Sequence, residues 1–298
     1  HRHRAVRRQS HPGYSAASAP GEPDLAVERA LGVKVLDREW IKLGIVNRVY
    51  RVETDCGRFV VKVFRSRTWP EEGKLQWIEK QLSKLGILHP RIVFFSRDAS
   101  VFPNGFMIAE NIEGRDAWEA MDEGSLTTER FCEELARLLS RVHSVRVKAF
   151  GHLCAGHGVY SDFVEQRLQR TPKDVDQLAG PDGRDEDLYD IVRSQARRRL
   201  LPFEHSYRPV LTHGDTNPHN CILTESGQLA LVDWDNAASS IWLRDYAHLP
   251  YRLLSDPDSA TRGRSTSSSR TPTIISCCRR LSPRSRWGHR CARVTASG

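Results

Sequence analysis

The segment that constrains this chain most has the sequence LTHGDTNPHNCILTESGQLALVD and ends at Asp233. Asp215 lies near its start, Asn220 follows five residues later, and Asp233 follows thirteen residues after Asn220. Two short apolar runs, 221–223 and 229–232, are separated by a polar turn that contains a glycine, which predicts a β-hairpin. A hairpin of this length would return Asp233 to the side of Asn220, so that one cation could touch both side chains.

These three polar side chains have the chemistry that phosphoryl transfer requires. Transfer from ATP depends mainly on positioning and charge neutralisation, so the protein supplies a carboxylate for the acceptor hydroxyl and oxygen ligands for magnesium. Asp215 suits the first role, and Asn220 and Asp233 suit the second, because magnesium prefers oxygen ligands. Asp and Asn beside Gly and Pro are also ordinary turn residues, but the combined spacing favours a phosphotransfer site.

The triplet His213–Asp215, followed by Asn220 after four intervening residues, resembles the catalytic loop of kinases. With Asp-Trp-Asp at 233–235, it resembles the aminoglycoside phosphotransferase and choline kinase superfamily of small-molecule kinases. The resemblance covers about residues 30 to 250. It implies an α+β, bilobal protein-kinase-like fold, with an antiparallel N-lobe sheet plus helix and a mainly helical C-lobe that contains the catalytic hairpin. It also implies ATP and Mg²⁺ as cofactors, and a bracing role for His213 in the catalytic loop.

A strand–turn–strand pattern nearer the start of the chain carries one lysine. Val49–Thr54 alternates between apolar and polar residues, Asp55–Arg58 is typical of a hairpin turn, and Phe59–Phe64 is apolar apart from Lys62. A lysine on an edge strand would simply point to water. Alongside the Asp215 segment, Lys62 instead resembles the lysine of the kinase Val-Ala-Ile-Lys strand, which contacts the phosphates of ATP.

The resemblance implies two further contacts with the nucleotide. The loop before these strands contains Gly44 and Asn47 and would lie over the phosphates, although its single glycine does not match the glycine-rich loop of protein kinases. The residues that join the two lobes, Glu110, Asn111 and Ile112, would bind the adenine edge through their backbone groups.

A helix is predicted from Glu71 to about Leu85, because its leucine and isoleucine residues are three or four apart and form one apolar stripe. In the resemblance, a glutamate at the start of this helix pairs with Lys62 and orients it. Glu71 fits the spacing best, and Glu72 stays open as the alternative. Acidic residues also favour a helix N-terminus without any role in catalysis.

The predicted elements group into two lobes and two tails. We place the N-lobe at residues 25–110 and the C-lobe at 111–255, between a disordered or artefactual N-terminal tail (1–24) and a basic low-complexity tail (256–298) that we expect to be disordered. The remaining predicted elements are strands at 91–95 and 105–109 and helices at 127–145, 160–168, 185–199 and 241–249.

Several polar residues of the predicted C-lobe have proposed supporting roles. Asp245, in Asp-Tyr-Ala, resembles the Asp-Leu-Ala of the superfamily, whose carboxylate accepts backbone hydrogen bonds from the catalytic loop. We interpret His143 as a packed structural histidine. Asp162 and Glu165 could contact a cationic substrate, or they could belong to a solvated helix face.

The net charge of +8 is a property of the C-terminal tail. From Ser259 to Gly298 there are nine arginines and no acidic residue, which leaves 36 of the 45 basic residues against all 37 acidic ones. The tail has no RNA-binding motif, so nucleic acid is not an expected partner, although a basic arm that binds it stays open. Members of the superfamily continue with helices that complete the acceptor pocket, and this chain departs from them as though truncated or translated out of frame.

The expected location is the cytoplasm. No apolar run approaches the ~18–20 residues that cross a bilayer, and the N-terminus lacks the apolar segment of a secretion signal. The seven cysteines agree, because their number is odd and those before the tail are scattered without metal-ligand spacing. We expect no membrane partner, and a monomer or weak dimer.

The leading hypothesis is an ATP-dependent phosphotransferase that phosphorylates a hydroxyl of a small, cationic acceptor. An aminoglycoside-type antibiotic is the first choice, which would make the protein a resistance kinase, since that is the commonest association of His-Gly-Asp with Asp-Trp-Asp. Choline, ethanolamine, homoserine or a sugar amine are alternative acceptors. A truncated nucleotide-binding protein without turnover is an alternative from another class.

Overall fold

The computed structural model describes residues 22–41, 47–153, 158–170 and 186–247, and its architecture is α+β. Its contacts divide it into two compact units. The first comprises the described residues up to Trp69 together with Arg91–Asn111, and the second comprises Pro70–Pro90 together with the described residues from Ile112. Residues 70–90, which the sequence pattern predicts to lie in the N-lobe, therefore group with the second unit.

The first unit is an antiparallel sheet with one helix packed against it. Its elements are α1 (Glu22–Leu31), β1 (Val35–Ile41), β2 (Arg48–Thr54), β3 (Gly57–Val63), β4 (Ile92–Ser96) and β5 (Phe106–Glu110). The strand order is β1-β2-β3-β5-β4, so β3 is the central strand. The predicted strands at 91–95 and 105–109 are each confirmed to within one residue.

The core of the first unit lies between α1 and the sheet. Ala26 and Val27 from the helix are buried together with Val52, Val61 and Ile108 from three neighbouring strands. Branched side chains of this kind favour the extended backbone because they pack well on a pleated surface. The apolar pattern of β3 is therefore explained by burial of its second half, where Val61, Lys62 and Val63 are buried.

The second unit is mainly helical and carries two small sheets. Its helices are α2 (Glu72–Lys84), α3 (Ala117–Asp122), α4 (Thr128–Val142), α5 (163–170) and α6 (Glu186–Leu200). Its strands are β6 (Arg115–Asp116), β7 (Val210–Thr212), β8 (Cys221–Leu223), β9 (Leu229–Leu231) and β10 (Ala238–Ser240). Strand β7 pairs with β10, and β8 lies between β6 and β9.

Helix α4 confirms the helix predicted at 127–145, although it ends at Val142. Its apolar stripe is fully buried, including Phe131, Leu135 and Leu139. The Thr127 side chain accepts a hydrogen bond from Arg130 N at 3.2 Å and so caps the helix N-terminus, as its position predicts.

Two boundaries differ from those predicted. Helix α1 already includes Glu22, whereas the sequence predicted structure from about Leu25; residues 1–21 and the tail 256–298 lie outside the described residues. The helix predicted at 241–249 is wrong over its described part, where only a 3₁₀ turn, Trp242–Asp245, is formed. The tertiary hydrogen bonds of Asp245 fix this backbone. None of the helices in the described ranges is long and apolar enough to cross a membrane.

Candidate active site

The predicted hairpin is confirmed, and it brings Asp233 back to Asn220. Strand β8 pairs antiparallel with β9, with Cys221 opposite Leu231. Beyond the strands, Val232 N donates to Asn220 O at 2.9 Å, so the pairing extends by one residue. Asp233 is therefore the first residue after the backbone partner of Asn220.

The loop between β7 and β8 presents Asp215 and Asn220 together. Asn220 Nδ2 donates to the backbone oxygen of Asp215 at 2.9 Å, and Asn217 Nδ2 donates to Asp215 Oδ1 at 2.9 Å. The first bond fixes the orientation of the Asn220 amide, with Oδ1 on the opposite side. The second bond orients the Asp215 carboxylate, which remains partly exposed.

His213 connects this loop to the hairpin and is completely buried. Its Nε2 donates to Val232 O at 2.9 Å, and its Nδ1 accepts from Asp215 N at 3.3 Å. A carbonyl only accepts and a backbone N–H only donates, so the neutral, Nε2-protonated tautomer satisfies both partners. Burial lowers the pKa of His213 below its usual value, against the opposing effect of nearby carboxylates such as Asp245. The ring also lies edge-on to Trp234, with centroids 4.6 Å apart.

Asp245 supports the same loop from the other side, as predicted. Its carboxylate accepts from His213 N at 2.9 Å and from Gly214 N at 2.7 Å. It also accepts from His143 Nε2 at 2.9 Å, and its backbone oxygen accepts from the Thr216 hydroxyl. Burial raises the pKa of Asp245, but the bonds from His143 and Gly214 outweigh it, and the net pKa lies below the usual value.

Gly214 is required by the close approach of two groups. Its φ is +83°, and a Cβ at this position would lie 2.5 Å from Asn236 O and 2.7 Å from Arg244 Nη2. The Arg244 guanidinium donates to Thr212 Oγ1 at 3.3 Å and to Asn236 O at 3.2 Å. The His-Gly-Asp triplet therefore has glycine for both a conformational and a steric reason.

Asp233 has an unusual backbone conformation. Its φ and ψ are +63° and +61°, in the left-handed region, and its side chain is exposed. Such a conformation costs a non-glycine residue about 1 kcal/mol or more and is maintained only by surrounding contacts. The turn redirects the chain immediately after the hairpin.

The donors of Asn220 and Asp233 fit a magnesium ion. One amide oxygen and one carboxylate are hard ligands, and magnesium usually keeps several waters and binds phosphate oxygens as well. Within the described part of the chain, no group of three or more His, Cys, Asp or Glu side chains could hold a metal. A site that binds magnesium mainly through the nucleotide needs no such group.

The sequence patterns did not identify three residues that contact this loop or the segment after the hairpin: Lys74, Asp116 and His219. Lys74 on α2 is buried, and its Nζ donates to Asp235 O at 2.6 Å. Asp116 Oδ2 accepts from His219 Nδ1 at 3.0 Å, which connects the loop between β7 and β8 to the N-terminus of α3. Of the three, only Lys74 could have been recognised from the sequence, because it lies on the helix face that continues with the apolar residues Ile78 and Leu82.

The predicted phosphate-binding lysine lies on the central strand of the first unit. Lys62 is 6% exposed and stands opposite Val49 and Met107 in the sheet. An edge-strand lysine in solvent is therefore excluded. Asn47 is buried, and its Oδ1 accepts from Arg65 N at 3.2 Å. Gly44 lies outside the described residues.

The other nucleotide-binding candidates are partly occupied by structural contacts. Glu110 N donates to Arg91 O at 2.8 Å, and Asn111 N donates to Arg58 O at 3.1 Å. Of the three predicted adenine-binding residues, Ile112 is therefore the one whose N–H stays a candidate donor.

Glu71 precedes the first residue of α2. Its carboxylate lies 3.0 Å from His152 Nε2. The carboxylate of Glu72, the alternative, accepts from Gln76 Nε2 at 3.0 Å on the exposed side of the helix. The pairing of Glu71 with Lys62 stays a prediction.

Both carboxylate oxygens of Asp162 accept hydrogen bonds from the protein itself, so this residue is a poor candidate for binding a cationic substrate. Its Oδ1 accepts from Val164 N at 2.7 Å at the start of α5, and its Oδ2 accepts from His205 N at 2.9 Å. The carboxylate is buried, and although burial raises its pKa, the bonds from His205 and Val164 bring the net pKa below the usual value. Glu165 is exposed and accepts from Ser161 Oγ at 3.0 Å.

Comparison with known protein families assigns the chain. The sequence model described as the phosphotransferase enzyme family (APH) matches residues 39–265, which is more than half of the chain. The chain belongs to the phosphotransferase enzyme family. The match includes the whole loop and hairpin described above.

This phosphotransferase-family chain is 28% identical over 207 residues to a probable ketoamine kinase from Staphylococcus aureus (strain NCTC 8325 / PS 47). The match covers 64% of the chain and 65% of the length of that relative.

Solved structures share the fold. One is a thermostable mutant of aminoglycoside phosphotransferase APH(4)-Ia in ternary complex with ADP and hygromycin B, at 14% identity and a TM-score of 0.58, covering 87% of this chain and 86% of that one. Another is LicA in complex with AMP, at 17% identity and a TM-score of 0.56, covering 88% and 80%. At these identities the likeness shows the fold alone, and it confirms the predicted α+β, protein-kinase-like fold.

Proposed function

We propose that this member of the phosphotransferase family transfers a phosphoryl group from ATP to a hydroxyl of a small molecule. The observation that carries the proposal is the arrangement of Asp215 and Asn220 on one loop, with Asp233 next to Asn220 across the hairpin. A carboxylate for the acceptor hydroxyl and two oxygen ligands for a cation are the groups that such a transfer needs.

Asp215 would orient the acceptor hydroxyl and take its proton. Its Oδ1 is held by Asn217 Nδ2, so the carboxylate has a fixed orientation. A base in hydrogen-bond reach of the hydroxyl is required while the bond to phosphorus forms. His213 would not take the proton, because it is buried with both nitrogens bonded, and its proposed role is to hold the loop.

Asn220 Oδ1 and the Asp233 carboxylate would hold Mg²⁺, and Lys62 would contact the phosphates. When bound, the metal neutralises charge on the phosphate oxygens. A lysine that is buried on the central strand of the sheet, rather than exposed on an edge strand, is consistent with this role. The Ile112 N–H would contribute to adenine binding.

The acceptor proposed first is an aminoglycoside-type antibiotic, as the His-Gly-Asp and Asp-Trp-Asp motifs suggest. The relative at 28% identity, a probable ketoamine kinase, supports a ketoamine as the second candidate. Both classes combine hydroxyl groups with an amine. Because Asp162 is committed to capping α5, recognition of the amine would depend on other carboxylates.

The test is ATP consumption by the purified protein with Mg²⁺ against aminoglycosides, a sugar-derived ketoamine, a macrolide, choline and homoserine. Asp215→Ala should lower turnover by roughly a hundred-fold or more, because the base is lost. Binding of ATP with Mg²⁺ should remain largely intact, since Asp215 is not a proposed metal ligand.

The matched control is Asp190→Ala, which removes an exposed carboxylate from α6 and should leave turnover unchanged. Full turnover in Asp215→Ala would refute the proposed mechanism. ATP binding without turnover on any acceptor would favour a nucleotide-binding protein.

A further inference from the structure

Lys74 is a buried lysine whose ammonium group binds the main chain just after Asp233. The residue lies in the first turns of α2 and is 2% exposed. Its Nζ donates to Asp235 O at 2.6 Å and approaches Ala237 O at 3.5 Å. Both acceptors lie within four residues of Asp233 along the chain.

Packing alone does not account for a lysine at this position. Lys74 is four residues before Ile78 and eight before Leu82, both of which are buried on the same helix face. An apolar side chain would continue the stripe without the cost of burying an ammonium group. The buried ammonium group of Lys74 instead binds the carbonyl oxygens of Asp235 and Ala237. The same segment also contains the buried carboxylate of Asp235.

The segment that Lys74 binds contains a conformation that needs support. Asp233 has a left-handed backbone, which persists only where surrounding contacts impose it. On the N-terminal side, His213 Nε2 holds Val232 O at 2.9 Å. On the C-terminal side, the bonds from Lys74 hold Asp235 and Ala237. The strained residue is therefore fixed between two anchors.

We propose that Lys74 is a positioning residue that presents the Asp233 carboxylate for binding of the metal–nucleotide complex. This inference rests on the proposed function, in which Asp233 is a ligand of Mg²⁺. In this proposal Lys74 contacts neither the metal nor the substrate directly. It acts through the backbone of the segment 233–237, as outer groups that orient a metal ligand commonly do.

The first readout needs no metal. In the metal-free protein, Lys74→Met keeps a side chain of similar length but removes the donor, so backbone amides of residues 233–237 should exchange with deuterium faster than in the wild type. The control is Ile78→Val, which trims the buried face of the same helix without touching the segment. It should leave exchange at 233–237 unchanged, even if it costs about 1 kcal/mol of stability.

The second readout is binding of Mn²⁺, used as a paramagnetic substitute for Mg²⁺, in the presence of ADP. Lys74→Met should weaken Mn²⁺ binding by about ten-fold, the lower range for loss of an outer orienting group. Lys74→Arg keeps a cationic donor and should recover part of that affinity, whereas Ile78→Val should bind as the wild type does. Should Lys74→Met fail to fold, Lys74→Gln carries the same two measurements.

The outcomes separate this inference from the proposed function. If the wild type binds no Mn²⁺ with ADP, the proposed function fails and the role of Lys74 fails with it. If the wild type binds Mn²⁺ but a folded Lys74 variant matches it in affinity and in exchange at 233–237, the inference on Lys74 alone is refuted. Faster exchange together with weaker Mn²⁺ binding, both absent from Ile78→Val, supports it.

Discussion

His213 shows how one buried ring can fix a loop only while it is neutral. Protonation at Nδ1 would replace the acceptor that Asp215 N needs with a second donor, and it would leave an imidazolium in a fully buried position. Both effects oppose the charged form. Protonation of His213 at low pH would therefore break the hydrogen bond that holds the backbone of Asp215 in the loop.

We predict that His213 makes the protein less stable in weak acid. The unfolded chain binds a proton at this residue near its ordinary pKa of 6.5, whereas the folded protein, with its lowered pKa, binds it only at lower pH. The unfolded state is therefore stabilised first as the pH falls below 6.5, and the free energy of unfolding decreases by at most ~1.4 kcal/mol per pH unit from this group. Urea unfolding between about pH 7 and about pH 5 measures the slope.

The variant His213→Gln cannot titrate, so its slope over this range should be smaller than that of the wild type. His152→Gln serves as the control, because that side chain is 51% exposed and lies outside the loop. A slope in His213→Gln equal to that of the wild type would contradict the assignment of a neutral, buried imidazole.

At the scale of elements, the 3₁₀ turn Trp242–Asp245 supports the loop between β7 and β8, which carries the proposed catalytic Asp215. Its last residue binds His213 N and Gly214 N through the carboxylate, and Thr216 through the backbone oxygen. A longer helix would have to keep these bonds while burying an apolar stripe, and the aromatic residues Trp242 and Tyr246 are only partly buried. The short turn therefore forms because Asp245 must hydrogen-bond to His213, Gly214 and Thr216.

Asp245→Asn should destabilise the protein by roughly 3 kcal/mol, because a buried charged acceptor of several hydrogen bonds is replaced by a neutral amide that brings an unwanted donor. Turnover should fall further than stability explains, since the loop that carries Asp215 loses its support. Chemical denaturation and steady-state kinetics on the same preparation separate the two effects. Asp190→Asn on the exposed face of α6 is the control, and equal stability of both variants would argue against this role.

At the scale of the whole molecule, the elements predicted best are those whose signal is local. The hairpin after Asn220 and the helix α4 follow from apolar runs, a glycine turn and a cap, and the structure has them within a few residues of the predicted bounds. Lys74 and Asp162 were misread or missed because their roles depend on partners far away in sequence, 161 residues in one case and 43 in the other. A charged residue on a helix looks solvent-facing until the fold shows what it touches.

The whole molecule should also report nucleotide binding through its thermal stability. A ligand that binds only the folded state stabilises it by about 2.7 kcal/mol at 100 times its dissociation constant. ADP with Mg²⁺ should therefore raise the melting temperature of the wild type and of Asp215→Ala alike, but raise that of Asp233→Asn much less, because one proposed metal ligand loses its charge. Differential scanning fluorimetry with ADP and EDTA gives the metal-free reference. No shift in the wild type would argue against any nucleotide-binding function.

Position 233 has two separate requirements, one on the backbone and one on the side chain, and together they limit which residues it can accept. The left-handed backbone favours glycine, asparagine and aspartate over every other residue. The proposed ligand role requires a side-chain oxygen, which glycine lacks. Asparagine keeps the oxygen but loses the charge, so aspartate alone satisfies both requirements fully. In a library of random substitutions, position 233 should therefore be among the least tolerant, although its side chain is exposed.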